Sequence, residues 1–308
     1  MPTKTILVTG ATGGQGGGVA RHLLATGRYK VRCLTRKPDS ERAAALQQAG
    51  AEILRGDLED VEGLKTAMKG CYGVFGVTNY WEHFNRELTH GKNLVDAVAA
   101  SSIEHFILST LPNVNRLTGG ELDVPHFDIK AQFEEYSRSL SLPATYVHVA
   151  FYYDNFLNFL PPRRQEDGSF AVAFPQGDTP LAAVSVEDAG GVIAAIFDRG
   201  AKYRCQTVGV VGDDKPVKTY AETMSRLTHQ RVIYQHVPRE AFAALGFPGA
   251  DDLANMFDYN RRFIPNRQAD LKESRTLYPG LRNFATWLEA NIEPFRRALG
   301  ISTGTSAA

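Results

Sequence analysis

The segment VTGATGGQGGGVAR, residues 8–21, joins an apolar strand pattern to a helical pattern through a glycine-rich turn. Gly10, Gly13 and Gly16 have the spacing G-x-x-G-x-x-G. Glycines at this spacing permit a tight turn and let a pyrophosphate approach the backbone at the positive end of the helix. The segment therefore predicts a dinucleotide-binding loop, with contacts expected from Gly10, Ala11, Thr12, Gly13, Gly14, Gln15 and Gly16.

Strand-like and helix-like segments alternate on both sides of this loop. The strand patterns cover residues 4–10, 30–36, 51–57, 73–79, 105–111 and 144–150. The helical patterns lie near residues 15–27, 40–49, 60–69, 83–102 and 125–140. Apolar strands separated by helices indicate right-handed crossovers and a parallel sheet buried on both faces. The predicted fold class is α/β, with a Rossmann-like doubly wound parallel sheet and a smaller α/β C-terminal lobe.

The second half of the chain is less regular. Strands are predicted at 169–174 and 206–212, and helices at 186–197, 217–229, 239–245, 250–260 and 283–299. We expect residues 1–150 to form the nucleotide-binding domain, with 184–212 returning to it. Residues 151–183 and 213–300 would form the smaller lobe, and 301–308 a disordered tail.

The end of the second predicted strand indicates which dinucleotide is bound. Thr35 stands where an NAD-binding fold usually has a carboxylate that binds the ribose 2′-hydroxyl. Arg36 and Lys37 follow it, and such cations suit a 2′-phosphate, to which Ser40 would add a hydroxyl donor. The predicted cofactor is therefore NADP(H).

The ends of the later strands should also border the cofactor, because ligands bind outside the carboxyl ends of parallel strands. We expect Asp57 to accept a bond from the adenine amino group, beside Leu58. Ser109 and Thr110 end strand five, where a reductase places a catalytic serine. The ribose and nicotinamide channel would be lined by Thr78, Asn79 and Tyr80.

Composition excludes several classes of protein. Hydrophobic residues make up 43% and charged residues 22% of the 308, which is typical of globular chains. The 34 basic residues balance 34 acidic ones, so nucleic acid is not an expected partner. No leader pattern and no apolar run of membrane-spanning length is found, which predicts a cytoplasmic location, or a nuclear one for a eukaryotic regulator. The cysteines, expected to be buried, form no metal motif: Cys33, Cys71 and Cys205.

Several further segments, taken with the loop, resemble the NmrA-like family of the atypical short-chain dehydrogenase/reductase superfamily, above all its HSCARG-type NADP(H)-sensing members. They are LTRKP (34–38), GDL (56–58), TNYWE (78–82), HFDIKAQFEEY (126–136), FYYDNFL (151–157) and GFPGADDLANMF (246–257). The resemblance implies a Rossmann domain with a smaller lobe and NADP(H) held by Arg36 and Lys130. It also implies contacts near the nicotinamide from Tyr152, Tyr153 and Asn155.

The catalytic pair of that superfamily, a tyrosine and a lysine four residues apart on one helix face, is altered in this chain. Lys130 is present, but His126 replaces the tyrosine. An imidazole titrates near neutrality, yet it does not reach as far as a phenol. Both residues should flank a cleft that we expect between the nucleotide-binding domain and the smaller lobe, outside a core-facing stripe of Ile129, Phe133, Tyr136 and Leu140.

Two functions follow from this altered pair. The altered pair favours the first, a non-catalytic NADP(H) sensor that reports cofactor level to a regulatory protein partner and is compatible with a homodimer. The alternative is an NADPH-dependent reductase of a small quinone, enone or carbonyl that uses Lys130. Its aromatic pocket would be lined by Tyr80, Trp81, Phe151 and Phe156.

Overall fold

The computed structural model describes residues 3–301, so seven residues of the predicted tail, 302–308, lie outside it. The strands, in chain order, are β1 (Lys4–Val8), β2 (Tyr29–Thr35), β3 (Glu52–Arg55), β4 (Gly73–Gly76), β5 (His105–Thr110), β6 (Ala144–Val149), β7 (Phe151–Tyr152), β8 (Arg163–Arg164), β9 (Phe170–Phe174), β10 (Leu181–Val184), β11 (Thr207–Val210), β12 (Asp213–Lys215) and β13 (Val232–His236). The α-helices are α1 (Gly14–Ala25), α2 (Glu41–Gln48), α3 (Val61–Met68), α4 (Tyr80–His83), α5 (Glu87–Ala99), α6 (Val114–Leu117), α7 (Pro125–Ser139), α8 (Asn155–Asn158), α9 (Val186–Arg199), α10 (Val217–Thr228), α11 (Arg239–Ala243), α12 (Ala250–Phe263), α13 (Gln268–Leu277), α14 (Phe284–Ala290) and α15 (Ile292–Ala298).

The central sheet has seven strands in the order β11-β6-β5-β4-β1-β2-β3. All neighbouring pairs are parallel, which confirms the predicted α/β fold. The strand order reverses at β1, which lies between β4 and β2. At such a reversal the connections leave to opposite sides, so a crevice opens at the carboxyl ends of the strands.

Helices cover both faces of the sheet and bury two apolar clusters against it. On one face, α1 packs closely on α9 through glycines rather than side chains. A Cβ added to Gly190 would lie 2.3 Å from the carbonyl carbon of Gly18. The opening segment therefore carries more glycines than a phosphate loop needs, because Gly18 also permits this helix contact.

The smaller lobe stands beside the carboxyl edge of the sheet. It contains two three-stranded sheets, β12-β10-β7 and β13-β9-β8, packed with helices around an aromatic core. Phe174 and Phe257 stack at its centre, with ring centroids 4.3 Å apart. The second-half strand β11 pairs with β6 in the central sheet. The residue boundaries predicted for the nucleotide-binding domain and for the smaller lobe stay predictions.

Some predicted elements differ from the structure. The helix expected over 283–299 is two helices, α14 and α15, separated at Asn291, whose φ of −117° is not helical. The helix expected over 83–102 is preceded by α4 and a turn in which Phe84 has φ +29°. The sequence did not indicate β10, β13 or α13, which are short or largely polar.

Two side-chain expectations were wrong. Leu140 is 40% exposed, because it caps the end of α7 instead of continuing the apolar stripe with buried Phe133. Cys205 is exposed, in a turn before β11 where its φ is +63°. Within residues 3–301 no helix has the length and apolar character needed to cross a membrane. The same part of the chain contains no cluster of metal-ligating side chains.

Candidate dinucleotide site and adjoining cleft

The glycine loop has the geometry that a pyrophosphate needs. Gly10 has φ +58°, and the N–H of Gly13 donates to its carbonyl oxygen at 2.9 Å. A Cβ on Gly16 would lie 2.4 Å from that same oxygen, so the helix can start this close to β1 only without a side chain. Gly13 is the N-cap residue of α1 and has no side chain to accept from the first N–H groups of the helix. Those N–H groups are therefore available to an anion.

Gln15 supplies an independent sign of a ligand. Its side-chain oxygen accepts a hydrogen bond from Ser109 Oγ at 3.1 Å. Its Nε2 is buried and has no partner within the described residues, although the side chain lines a cleft. The amide is thus held through Oε1, and its unpaired Nε2 could donate to an acceptor group of a bound ligand. Ser109, predicted as a catalytic position, therefore orients Gln15.

The cations after β2 lie at the edge of this loop. Arg36 and Lys37 are exposed, and Arg36 Nη2 is 2.6 Å from Glu82 Oε1 on α4. This hydrogen bond holds the pKa of Glu82 below its ordinary value. Ser40 is less available than the sequence predicted, because it caps α2 and its hydroxyl donates to the Lys37 carbonyl at 2.8 Å. Arg42, which the sequence analysis missed, donates to the Thr12 carbonyl at 3.1 Å.

The predicted adenine end lies after β3. Asp57 Oδ1 accepts from the Glu59 N–H at 3.0 Å, and the Leu58 carbonyl accepts from Asn93. Both predicted residues are only half-buried. They remain candidates for the adenosine half of a dinucleotide.

A cleft of about 650 Å³ continues from the loop along the carboxyl edge of the sheet to the smaller lobe. Most of its exposed lining is apolar, and Trp81 and Phe151 contribute aromatic rings to it. Twelve residues singled out from the sequence meet on its wall: Gln15, Thr78, Asn79, Tyr80, Trp81, Ser109, Thr110, His126, Lys130, Phe151, Tyr152 and Asn155. Tyr153 and Phe156 were expected there but are fully buried in the lobe core, because their side chains point to the opposite side of that turn.

Lys130 is held by a buried carboxylate that the sequence analysis did not identify. Its Nζ lies 2.5 Å from Glu87 Oε1 and 2.8 Å from Thr78 Oγ1. Glu87 is fully buried, and its second oxygen has no partner within the described residues. An ammonium has three donors, so these two bonds leave one N–H of Lys130 for a ligand in the cleft.

His126 is held in the same way. Its Nδ1 is 2.5 Å from Asp252 Oδ1, and its backbone N–H is 3.2 Å from Asp252 Oδ2. Asp252 belongs to α12 of the smaller lobe, so this contact joins the two walls of the cleft. Neither residue is more than 7% exposed.

The far wall carries a second histidine–carboxylate pair. His148 Nε2 is 3.1 Å from Glu134 Oε2, to which Thr110 also donates at 2.5 Å. Burial raises the pKa of Glu134, but the bonds from His148, Thr110 and Arg138 outweigh it and leave that pKa below its ordinary value. Glu134 is thus an ionised anchor, and Thr110 is bound to it.

Comparison with known proteins identifies the family. The NmrA-like family model matches residues 2–288. An NmrA-like family domain-containing protein of Dictyostelium discoideum is 30% identical over 244 residues, which is 76% of this chain and 81% of that protein. The NmrA-like family domain-containing oxidoreductase FrzB of Cladobotryum sp is 30% identical over 283 residues, 84% of each chain. The crystal structure of NmrA, a negative transcriptional regulator, in complex with NADP superimposes with a TM-score of 0.82 at 26% identity, covering 97% of this chain and 99% of NmrA. The chain belongs to the NmrA-like family.

Proposed function

We propose that this protein binds NADP(H), with the pyrophosphate at the glycine loop and the nicotinamide in the cleft. The unpartnered Gln15 amide, the uncapped start of α1 and the crowded Gly16 support this placement. NmrA, its relative in fold and sequence, has been crystallised with NADP. Arg36 and Lys37 would hold the 2′-phosphate, and Arg42 lies close enough to Thr12 to assist them.

We further propose that the bound cofactor reduces a small apolar carbonyl, quinone or enone. One observation carries this proposal: a mostly apolar cleft adjoins the glycine loop and holds both Lys130 and His126 on its wall. A sensor needs only the cofactor site, whereas a reductase also needs room for an acceptor with polar groups placed at one end. This preference reverses the one drawn from the sequence, because His126 and Lys130 are each held by a buried carboxylate.

Each of these side chains has a task in such a reaction. The dinucleotide would supply a hydride to the acceptor. Lys130, fixed by Thr78 and Glu87, would bind the nicotinamide ribose with its remaining N–H. Trp81 and Phe151 would exclude water and pack on the acceptor.

The test is NADPH oxidation against a panel of quinones, enones and aldehydes. Lys130→Met alone would leave Glu87 as an uncompensated buried charge, which costs several kcal/mol of stability. The informative variant is therefore Lys130→Met with Glu87→Gln, compared with Glu87→Gln alone. We expect the double variant to lose NADPH affinity by about tenfold or more and to lose turnover with it. Saturable NADPH binding without oxidation by any acceptor would refute the reductase proposal.

A second candidate is the NADP(H) sensor, related in role to the HSCARG-type members that the sequence resembles. The Arg36–Glu82 ion pair favours it, because a 2′-phosphate on Arg36 would compete with Glu82 and release α4. Tyr80 and Trp81 of that helix line the cleft, so cofactor binding would change the surface offered to a partner. The protein partner, the homodimer and the cytoplasmic or nuclear location stay predictions of this hypothesis.

A further inference from the structure

Asp252 and His126 form a pair that the tyrosine–lysine scheme does not contain. The two residues are 126 positions apart, on α12 of the lobe and on α7 of the nucleotide domain. One carboxylate oxygen faces the imidazole Nδ1 at 2.5 Å, and the other faces the His126 backbone N–H at 3.2 Å. These two contacts fix both the position and the rotation of the ring.

The contact with Asp252 also determines which ring nitrogen serves the cleft. A buried carboxylate facing Nδ1 favours a proton on that nitrogen, because the unpaired charge would otherwise be costly. The opposite nitrogen, Nε2, is then left for the cavity that His126 lines. Tyr80 and Trp81 flank the ring, with centroids 6.0 and 5.1 Å away, and His126 is only 7% exposed.

Tyr80 carries an acidic hydrogen on a neighbouring ring, whose centroid is 6.0 Å from that of His126. Burial, with a further contribution from the charge of Asp252, raises the pKa of the Tyr80 hydroxyl to about 12. A phenol this weakly acidic gives up its proton less readily near neutral pH than an imidazolium does. Tyr80 is therefore a wall of the pocket rather than a replacement for the missing tyrosine.

We propose that His126, positioned by Asp252, is the proton donor to the carbonyl oxygen of the acceptor; this inference rests on the proposed reductase function. The acceptor's carbonyl carbon would take a hydride from the reduced dinucleotide, and the π electron pair of the C=O bond would move onto oxygen. The proton on His126 Nε2 passes to that oxygen, which completes the alcohol. The neutral imidazole then regains a proton from solvent, and Asp252 keeps the ring in place through Nδ1.

The test compares four variants under saturating NADPH. His126→Gln should lower kcat by roughly 10²–10⁴, the usual contribution of a general acid, with NADPH affinity unchanged within about threefold. Asp252→Asn should lower kcat by about tenfold or more, with little change in KM. The double variant should be no slower than His126→Gln alone, because the two residues act as one unit. Asp251→Asn, at the exposed aspartate next in the chain, is the matched control and should retain wild-type kcat.

A spectroscopic measurement separates positioning from a folding defect. In ¹⁵N-histidine NMR of the full chain, recorded at a pH where the ring is neutral, the His126 signals should show the proton on Nδ1 in the wild type. Asp252→Asn should shift the protonation toward Nε2, and Asp251→Asn should not. Identical His126 signals in wild type and Asp252→Asn would overturn the positioning role of Asp252.

The kinetic outcomes distinguish the two proposals. No oxidation of NADPH by wild type with any acceptor would refute the reductase function and this role together. Turnover in wild type that persists in His126→Gln within about threefold would refute this role alone and leave the reductase function standing.

Discussion

The ion pair between Arg36 and Glu82 yields a quantitative prediction about cofactor choice. Glu82 binds the Arg36 guanidinium, which we assign to the 2′-phosphate. NADPH must therefore displace Glu82 from Arg36, whereas NADH has no 2′-phosphate and need not. The two side chains are 42% and 48% exposed. Exposed pairs of this kind contribute about 0.2–1 kcal/mol. Glu82→Gln should therefore tighten NADPH binding by about 1.4- to 5-fold and leave NADH unchanged.

The opposite perturbation removes the phosphate contact itself. A hydrogen bond to a charged group contributes about 1.5–3 kcal/mol, so Arg36→Ala should weaken NADPH binding by about ten- to a hundredfold. NADH binding should barely change. In the Arg36→Ala background Glu82→Gln should have no further effect, because its partner is gone.

Calorimetric titration of each variant with NADPH and NADH at one ionic strength measures these affinities. Glu62→Gln is the matched control. Glu62 is an exposed glutamate that pairs with Lys65 within α3, away from Arg36 and α4. Equal wild-type affinity for NADPH and NADH would refute the assignment of the phosphate site. An equal effect of Glu82→Gln on both cofactors would refute the competition.

Three further results are expected. Gly13→Val should abolish NADPH binding with only a small fall in melting temperature, although its Cβ would lie 3.2 Å from the Gly10 carbonyl oxygen. Gly16→Ala should destabilise the fold more, because its Cβ would lie 2.4 Å from that same oxygen. Binding of NADPH by Gly13→Val would mean that the phosphate loop is misplaced. Burial lowers the pKa of His105 to about 4, so on acidification the unfolded chain binds the proton before the folded chain does. The free energy of unfolding should therefore fall by about 3 kcal/mol as the pH drops from 6.5 to 4. Urea unfolding should show this slope in wild type, and an equal slope in His105→Gln would contradict the assignment. Saturating NADPH should slow amide hydrogen exchange in residues 78–92 and 151–162, which border the cleft; unchanged exchange would count against the sensor candidate.

The fold could be predicted because its signals are local. β1, the glycine loop and α1 follow one another in the chain, and the buried strands each contain an apolar run, such as ILV in β1 and FIL in β5. Elements that depend on tertiary packing gave no such signal. β13 has only one buried residue and α13 presents two separated leucines, so neither shows a clear period.

The site was only half predictable for the same reason. Residues that follow strand ends, such as Thr78, could be placed from the strand pattern. The carboxylates that hold the cleft residues could not, because Asp252 is 126 positions from His126 and Glu87 is 43 positions from Lys130. These two pairs form only when the fold brings α12 and α5 next to α7, and no short segment of sequence predicts that.

The transfer of hydrogen from the cofactor to an acceptor tests the central proposal most directly. NADPH carrying deuterium at both C4 positions would be incubated with the protein and with each aldehyde or ketone that supports oxidation, because a hydroquinone would lose the transferred deuterium to solvent. The products would be analysed by mass spectrometry. The account predicts one deuterium on the carbon of the reduced product, with the hydroxyl hydrogen coming from solvent. Reduced product without that deuterium, or no product while NADPH remains bound, would contradict it.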